Sequence, residues 1–459
     1  SLWVVGASNI WQVDPWTGST LFLWSGVSGS YHKGALYLTN YNGTKGTAET
    51  GTMTKWDTRT RATVWTAKIP SVTLFWDDIL IRRSSSTGGI PYGLQLWTYN
   101  ATTGKVIVDG VSYGSEVYSA EITFVAGYGK YFQHGVDGRT RAFSLYDGKI
   151  VWESEPMSMP WGSFAAYAAS CGLGMVFEPS HDGYLYAYDV ETGQLKWKAF
   201  TEKTTETAMG VYGTWSQIII ADGKVYFSVG EHTPPNPMPR GGKLYCVNAT
   251  NGELIWSLEG FYQKAGTTRY GGVHAGVLWY PTLYDGCIYF IGKGPSAVTV
   301  SASSTVVPVG SRVLIQGTIT DESAGAKGTP AIADEYMTEW MEYLYMQKPM
   351  PTNAKGVPIL IQAALPNGTV IEIGWTTSDI MGHYEIEWTP PEPGTYKILA
   401  TFLGTKSYYP SAAQTAITVT EKAAPAGIEG ISTWEAITLT LTIITLIIVV
   451  YLAVKTKKQ

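Results

Sequence analysis

The side chains suited to chemistry are few and scattered along this sequence. Its six histidines are His32, His134, His181, His232, His274 and His383. The carboxylates Asp14, Asp57, Asp137, Asp147, Asp182 and Asp189 lie mostly in turn-forming phrases, where their oxygens accept hydrogen bonds from nearby backbone N–H groups. Cys171, Cys246 and Cys287 are too few for a disulfide framework and are predicted to be small core residues. The sequence therefore predicts no catalytic residue and no metal ligand.

Four asparagines stand in Asn-x-Thr sequons and are candidates for N-glycosylation: Asn42, Asn100, Asn248 and Asn367. The same residue types are also common in β-turns, which is the alternative interpretation.

One stretch has the periodicity of a helix. Residues 329–350 begin with Thr329 as a candidate N-cap and Pro330 at the first helical position, and Pro349 would end the helix. Apolar side chains recur at spacings of three and four residues and predict one apolar face. Its candidate partner-binding residues are Tyr336, Trp340, Met341, Leu344 and Tyr345.

Three roles are open for this apolar face. It packs on a neighbouring part of the chain, it docks a partner or an aromatic or sugar ligand, or its methionines hold copper. The copper set would be Met337, Met341, Met346 and Met350. No cysteine or histidine lies nearby to complete a soft-metal site, which argues against copper.

The elements that must position these residues form a repeat. Leu185–Trp197 and Leu244–Trp256 follow one pattern, a strand, a Gly-bearing turn and a second strand ending in Trp. Looser copies end at positions 24, 65, 107 and 152, so successive ends are 41, 42, 45, 45 and 59 residues apart. This period predicts the four-stranded blades of a β-propeller. We expect Trp65, Trp152, Trp197 and Trp256 to fill the spaces between blades.

The phrase Asp189-x-x-Thr-Gly-x-x-x-Trp197 resembles the blade repeat of pyrroloquinoline-quinone (PQQ) dehydrogenases and of related non-enzymatic propellers, over residues 1–294. Quinoprotein dehydrogenases of that family hold the quinone beside a disulfide of adjacent cysteines, with calcium. This sequence has no Cys-Cys pair. No cofactor is therefore predicted, and PQQ with calcium is the alternative.

The resemblance also implies that loops before the innermost strands face the central channel. The candidate channel-mouth residues are Trp161, Tyr212, Arg269, Tyr270 and His274. The alternative is that these are ordinary loop residues.

The repeats predict about six blades. In this interpretation the strands of residues 9–24 complete a blade that opens at Asp285, and the number rises to as many as eight if the chain is truncated upstream.

Residues 295–422 have a different pattern, with seven short alternating strands that predict an immunoglobulin-like (Ig-like) sandwich carrying the helical insert 329–350. The stretch Pro393–Tyr396 resembles late strands of such domains in microbial surface proteins. The sequence as a whole is thus predicted to be all-β.

The C-terminal region predicts a membrane anchor. After a linker at 423–435, residues 436–454 are uncharged over nineteen positions and can span a bilayer. Trp434 precedes this segment and the basic tail 455–459 follows it. Positive flanks stay on the cytoplasmic side, so a single-pass protein with its large N-terminal region outside the cell is expected. A cleaved signal peptide would account for a first residue other than Met.

Net charge and architecture narrow the function. The net charge of −5 argues against nucleic acid. We expect a membrane-anchored binding or scaffolding protein that contacts other envelope or surface proteins, with a glycan or small ligand as a further option. The arrangement resembles archaeal cell-surface proteins. The alternatives are a quinoprotein-type oxidoreductase with a non-standard site and a structural glycoprotein of the envelope.

Overall fold

The computed structural model describes residues 2–6, 9–40, 51–72, 74–85, 93–117, 125–158, 169–214, 216–231, 237–264, 271–422 and 432–456. Within them the fold is all-β apart from short 3-10 turns and two α-helices, as predicted. Two units are present, Ser1–Gly292 with Tyr345–Lys348, and Lys293–Leu344 with Pro349–Gln459. The first unit thus ends two residues before the predicted boundary at 294.

The first unit is a β-propeller of seven successive sheets in its described residues, each built on an antiparallel meander. Sheet 1 contains β1 (Leu2–Val5), β2 (Asn9–Val13) and β3 (Thr20–Ser25). Sheet 2 contains β4 (Ser28–His32), β5 (Ala35–Asn40), β6 (Thr52–Asp57) and β7 (Ala62–Ala67). Sheet 3 contains β8 (Leu74–Trp76), β9 (Ile79–Ser85), β10 (Leu94–Asn100) and β11 (Val106–Ser112), followed by a 3-10 turn at Ser115–Val117. Sheet 4 contains β12 (Val125–Gly127), β13 (Lys130–His134), β14 (Thr140–Ser144) and β15 (Ile150–Glu153).

Three further sheets complete this unit. Sheet 5 contains β16 (Ser170–Gly172), β17 (Met175–Pro179), β18 (Tyr184–Asp189) and β19 (Leu195–Phe200). Sheet 6 contains β20 (Ile219–Ala221), β21 (Lys224–Glu231), β22 (Lys243–Asn248) and β23 (Leu254–Glu259), with β24 (Tyr262–Lys264) parallel to the end of β21. Sheet 7 contains β25 (Gly272–His274), β26 (Val277–Pro281) and β27 (Ile288–Gly292). First strands of neighbouring sheets contact one another, β8 with β12, β12 with β16, β16 with β20 and β20 with β25.

The turn between the third and fourth strands sets the repeat. A β-bulge in the fourth strand follows this turn. We call the residue directly after the bulge the closing residue, and it lies eight positions beyond the Asp, Asn or Ser that starts the turn. The closing residues are Phe22, Trp65, Val108, Trp152, Trp197 and Trp256. The expected ends at Trp24 and Ile107 are therefore wrong. The count from the turn fixes the closing position, and tryptophan or apolar character does not. The corrected spacings are 43, 43, 44, 45 and 59 residues.

Among the described residues, the first and last sheets each contain three of a blade's four strands. By the closing residue Phe22, strands β1–β3 correspond to the second, third and fourth strands of a blade, whereas β25–β27 correspond to the first three. The expected closure, in which residues 9–24 complete the blade at Asp285, is not seen in the described residues. There Asn9–Val13 pairs with Leu2–Val5 and with Thr20–Ser25 instead.

The second unit contains a sandwich of two sheets. One sheet has β31 (Val313–Asp321) at its centre, paired with β28 (Ser296–Val298), β29 (Ser301–Ala302), β32 (Thr329–Pro330) and β35 (His383–Trp388). The other has the order β30 (Val306–Pro308), β37 (Ser411–Thr420), β36 (Gly394–Phe402), β33 (Pro358–Ala364) and β34 (Val370–Thr377). Buried side chains from both sheets form one core cluster, which includes Ile315, Ile361 and Ile398.

One side chain carries a feature typical of immunoglobulin-type sandwiches. Tyr396 lies near the start of β36, and its hydroxyl donates a hydrogen bond to the Glu392 carbonyl four residues upstream, at 2.7 Å. This is the geometry of a tyrosine corner. The Ig-like assignment stays a prediction, which this contact supports.

The helix of the insert is shorter than expected. Thr329 and Pro330 form the short strand β32 against β31, so Thr329 is not an N-cap and Pro330 is not a first helical residue. A 3-10 turn at Asp334–Tyr336 leads into α1 (Met337–Met346). Gln347 then has a positive φ of 56°, which ends the helix two residues before Pro349.

Helix α2 (Thr433–Thr456) is 24 residues long and apolar enough to span a membrane. Its start is a capping box. The Glu435 N–H donates to the Ser432 hydroxyl at 3.2 Å, and the Ser432 N–H donates to the Glu435 carboxylate at 2.9 Å.

Candidate functional site

The closing residues bind neighbouring sheets together. The indole N–H of Trp65 donates to the Ala101 carbonyl at 3.2 Å, that of Trp152 to Val190 at 3.0 Å, and that of Trp197 to Ala249 at 3.0 Å. Each acceptor lies in the third-to-fourth-strand turn of the next sheet. We call each pairing of a closing residue with the next sheet's turn a seam.

A residue with positive φ faces the closing residue in every complete seam. The pairs are Phe22 with Arg61, Trp65 with Gly104, Val108 with Gly148, Trp152 with Gly193 and Trp197 with Gly252. A Cβ on Gly252 would lie 2.5 Å from Trp197 Cε3, so the indole occupies the space that glycine leaves open.

Trp256 lacks such a partner. Sheet 7 has no third-to-fourth-strand turn among the described residues, because its chain leaves after β27. Trp256 is only partly buried, and its indole N–H has no hydrogen-bond partner in that part of the chain. Met346, at the end of α1, packs against the same cluster.

A buried histidine and a buried carboxylate join sheets 4 and 5. His134 ends β13 and Glu178 lies in β17, and both side chains are fully shielded from solvent. His134 Nδ1 lies 3.2 Å from Glu178 Oε2 and 3.4 Å from the Thr140 hydroxyl. The 3.2 Å contact between His134 and Glu178 is within ion-pair distance. It is not a hydrogen bond, because neither Glu178 oxygen has a donor among the described residues.

Burial decides what this pair can do. A side chain with no exposed surface cannot touch a substrate from solution, so the pair acts between sheets rather than on a ligand. The Glu178 charge adds to burial in raising the pKa of Tyr188 on β18, and burial is the larger cause. Sequence reasoning passed over Glu178, although a charged residue inside the apolar strand Met175–Pro179 was a usable signal.

A second arrangement lies on the surface of the first unit, where residues 201–214 and 237–242 form what we call the loop platform. Its centre is the Glu206 carboxylate. Oε2 of Glu206 accepts hydrogen bonds from the Tyr212 hydroxyl at 2.5 Å, the Arg240 N–H at 2.8 Å and the Gly241 N–H at 3.0 Å. These donors hold the pKa of Glu206 below its usual range, the Tyr212 hydroxyl most of all.

Further hydrogen bonds fold residues 201–214 back on themselves. Lys203 and Val211 form a bridge, the Thr204 N–H donates to the Gly210 carbonyl at 3.0 Å, and the Thr207 hydroxyl donates to the Val211 carbonyl at 2.6 Å. Met209, at the tip, is 37% exposed. The platform is therefore an ordered surface with an apolar side chain at its tip.

Two of the five predicted channel-mouth residues, Tyr212 and His274, lie in the described part of the chain. Trp161, Arg269 and Tyr270 lie outside the described residues. Tyr212 is a core residue of the platform rather than an exposed one, because it packs in the cluster under residues 201–214. His274 is exposed and ends β25, next to the turn Ala275-Gly276.

Tyr212 packs in a buried cluster of sheets 5 and 6, whereas His274 is exposed at the end of β25. His274 is not a loop residue, because Gly272–His274 pairs with β26. Ala275 and Gly276, both with positive φ, make a two-residue hairpin turn. This turn follows β25, whereas Arg269 and Tyr270 precede that strand in the sequence.

The apolar face of α1 is largely used inside the second unit. Trp340 is 2% exposed and clusters with Ile332 and Ala354, and Tyr336, Met341 and Leu344 pack against that cluster. Tyr345 is the exposed member of the predicted partner set. Met346 packs in the first unit's cluster and Met350 is exposed, so the four methionines are not gathered at one point.

Three sequons fall in described turns. The Asn100 side chain accepts hydrogen bonds from the N–H groups of Thr102 and Thr103, and that of Asn248 accepts one from Thr250. Both are partly buried and start the repeat turn. Asn367 is exposed in the turn between β33 and β34. Asn42 lies outside the described residues.

The residues present do not fit a quinone with calcium. The three cysteines are far apart in sequence, and burial raises the pKa of Cys171 to about 11 and that of Cys246 to about 12. In the described ranges no group of three or more His, Cys, Asp or Glu side chains is placed to hold a metal ion.

A family model described as outer membrane protein assembly factor BamB, with the short name PQQ_2, matches residues 49–304. The match covers 256 of the 459 residues. No curated protein shows significant sequence similarity to the chain.

Solved structures with similar folds include BamB from Moraxella catarrhalis, at 13% identity and a TM-score of 0.38, covering 85% of this chain and all of that one. The computationally designed Ika8 protein matches at 11% identity and a TM-score of 0.37, covering 79% of this chain and 95% of that one. A europium-containing methanol dehydrogenase matches at 11% identity and a TM-score of 0.37, covering 69% and 80%. Likenesses at this level say nothing about shared activity.

Proposed function

We propose that the propeller of this chain, which belongs to the PQQ_2 family described as outer membrane protein assembly factor BamB, is a scaffold that holds another protein. The observation that carries the proposal is the loop platform. Three donors fix the Glu206 carboxylate and thereby the loop around it. A surface that is ordered before binding loses little conformational entropy when a partner docks, which favours a binding role.

The buried pair His134–Glu178 supports the same role. Its two side chains are closed to solvent and join neighbouring sheets, so this histidine and this carboxylate serve rigidity rather than chemistry. A rigid propeller is what a scaffold needs. The proposed partners are other proteins of the cell envelope or surface.

We further propose that α2 anchors the chain in a membrane. Its 24 residues measure about 36 Å at about 1.5 Å per residue, enough for the hydrocarbon core of a bilayer. The lysines near its end, Lys455, Lys457 and Lys458, support a cytoplasmic C-terminus with the propeller and sandwich outside. Intact cells tagged at the C-terminus should expose the tag to antibody only after permeabilisation, and labelling of unpermeabilised cells would contradict this orientation.

The scaffold proposal is tested with a photo-crosslinking amino acid at Met209 of the full chain in its native membrane. The matched control is Leu173, which is 54% exposed in the turn between β16 and β17. We expect one protein to crosslink at position 209 and not at 173, and Arg240→Glu to reduce its yield. The same products at both positions, or none at 209, would refute the platform as the contact surface.

The oxidoreductase alternative has its own test. The purified chain is incubated with PQQ and calcium, and its absorption spectrum and dye reduction are followed. A stoichiometric quinone band with dye reduction would favour catalysis over scaffolding.

A further inference from the structure

The sandwich of the second unit carries a groove on the outer face of its first sheet. The groove has a volume of about 690 Å³ and is lined by parts of β29, β31, β34 and β35 and by the connections beside them. Sites for small ligands usually measure about 300–1,000 Å³. Every lining residue lies in the continuously described stretch 271–422, so this stretch by itself builds the groove.

Two rows of polar side chains form the floor of the groove, and each row crosses three neighbouring strands. The rows are Ser301, Gln316 and Glu385, followed by Thr299, Thr318 and His383. Alternate residues of a strand point to the same face of a sheet, and the residues between them, such as Ile315 and Tyr384, are buried in the core. The two rows therefore face outward from the sandwich, about 7 Å apart along the strands.

An irregular point in the strand pairing fixes the floor between the rows. The Thr318 N–H donates to the Thr299 hydroxyl at 2.9 Å rather than to the Thr299 carbonyl. That carbonyl instead accepts a hydrogen bond from the Tyr384 hydroxyl at 2.5 Å. Gly317 permits this arrangement, because a Cβ there would lie 1.9 Å from the Thr299 carbonyl oxygen. The backbone of Thr299 is thus turned toward the core, and its hydroxyl stays in the groove.

Three polar side chains of the groove are available to a ligand. Those of Gln316, His383 and Glu385 make no hydrogen bond within the described chain. Glu387, two residues further along β35, shows the contrast, since its carboxylate pairs with Arg312 at 3.1 Å. A carboxylate accepts hydrogen bonds, whereas an amide and a neutral imidazole both donate and accept. The groove therefore offers donors and acceptors side by side.

This set of groups narrows the class of ligand. An anionic ligand would be repelled by the carboxylates of Asp379 and Glu385, which both line the groove. An apolar ligand would cover polar groups that it cannot pair. A metal ion is disfavoured, because the described residues contain no group of three or more His, Cys, Asp or Glu placed to hold one. The hydroxyls of a neutral sugar each donate and accept, and they match the groove.

The chain's own linker is a poorer occupant of the groove. Residues 423–431 follow β37 and read Ala-Ala-Pro-Ala-Gly-Ile-Glu-Gly-Ile. This stretch has no hydroxyl, amide or cationic side chain to offer. In the groove it would add the carboxylate of Glu429 to those of Asp379 and Glu385, and it would cover Gln316 and His383 without side-chain partners. Covering polar groups in this way costs free energy that a sugar avoids.

We infer that the groove binds a neutral oligosaccharide, whose hydroxyls bond to Gln316, Glu385 and His383. The sugar comes either from outside the molecule or from a glycan on this chain, and the chemistry of recognition is the same for both. The inference goes beyond the scaffold proposal, because the groove lies in the second unit and shares no residue with the loop platform.

The experiment applies the full chain to an array of immobilised oligosaccharides. The chain is produced without N-glycosylation and held in lipid nanodiscs, since many detergents carry sugar head groups that would compete. The array contains hexose and N-acetylhexosamine oligomers as neutral probes, uronic acid oligomers as anionic probes and spermine as a cationic probe. We expect binding to at least one neutral oligomer and none to the uronic acid oligomers or to spermine. The strongest neutral oligomer is then titrated in solution by calorimetry.

Matched variants locate the binding. Glu385→Ala should weaken it by about tenfold or more, because a hydrogen bond to a charged group is lost, and Gln316→Ala should weaken it as well. Glu387→Ala is the control, an exposed carboxylate on the same face of β35 outside the groove, and should change the affinity by less than about twofold. All three positions are exposed, so the variants should keep the fold.

Several outcomes would overturn the inference. They are binding to no neutral oligomer, equal binding to the uronic acid oligomers, binding to spermine alone, and equal losses in Glu385→Ala and Glu387→Ala. If chain from the native source binds the oligomer only after Asn367→Gln, the site is supported and its ligand is the chain's own glycan. Crosslinking at Met209 does not involve the sandwich, so failure here and failure of the scaffold proposal are distinguishable.

Discussion

Two seams, one joining sheet 4 to sheet 5 and one joining sheet 5 to sheet 6, differ from the seam between sheets 6 and 7 in a single component. In the former, a closing tryptophan meets a glycine with positive φ and donates to a carbonyl three residues before it. In the latter the tryptophan is present, but no such turn lies among the described residues. The repeat unit of this propeller is therefore not the blade but the contact between one blade's last strand and the next blade's turn.

The largest expected effect breaks a complete seam. Trp197→Ala removes a buried indole and its hydrogen bond, and should lower the free energy of unfolding by about 3–5 kcal/mol. Trp256→Ala, in the incomplete seam, should cost less than half of that, because the side chain is only partly buried. Denaturant unfolding of the full chain in detergent measures both, and equal losses would remove the distinction between the two seams.

The second effect concerns the other link between sheets 4 and 5. His134→Ala leaves the buried Glu178 carboxylate without its imidazole neighbour, and should cost about 3 kcal/mol. The double variant His134→Leu with Glu178→Leu removes both polar groups and should recover part of the loss. If the double variant loses at least as much free energy of unfolding as His134→Leu and Glu178→Leu lose in total, the pair does not act as a unit.

The third effect tests the turn itself. Gly252→Ala places a Cβ 2.5 Å from Trp197 at a φ of +74°, so crowding of about 1–3 kcal/mol adds to a backbone cost of about 1 kcal/mol. Gly223→Ala is the matched control, with a φ of +68° and no atom within 4 Å of the added Cβ, and should show the backbone cost alone. If both variants unfold at the same denaturant concentration, the glycine serves the turn and not the seam.

The sequence predicted the architecture better than the details of the site, for physical reasons. A strand-turn-strand repeat depends on local spacing, so the β-propeller fold and its period could be read directly. The closing positions at Phe22 and Val108 were missed because their residue types are not tryptophan, although the count from Asp14 and Asn100 fixes them. Pairing between distant strands has no local signal, which is why the closure at Asp285 was misjudged.

The platform and the buried pair depend on contacts that the sequence does not encode locally. Glu206 is bound by N–H groups 34 and 35 residues away, and Glu178 lies beside a histidine on the preceding sheet. Neither contact has a characteristic spacing. The helix of the insert was shortened for a related reason, since Thr329 and Pro330 gain a strand pairing with β31 that helical periodicity cannot reveal.

The smallest effect compares the first unit with the second at their sequons. Asn100 starts a repeat turn in which Asp57 and Asp189 do the same work in sister sheets, each accepting two backbone N–H groups. Asn100→Asp should therefore change the free energy of unfolding by less than about 0.5 kcal/mol. Asn100→Ala, which loses the acceptor, should cost about 1 kcal/mol.

A glycan on Asn100 would compete with these turn hydrogen bonds, whereas Asn367 is exposed. Mass spectrometry of glycopeptides from the native source should thus find a glycan at Asn367 in preference to Asn100. Full occupancy at Asn100 would mean that its side-chain amide leaves the turn, and Asn100→Asp would then remove a glycan as well as exchange an acceptor. The stability and mass measurements on the same variant therefore separate the structural use of this repeat position from its use as a modification site.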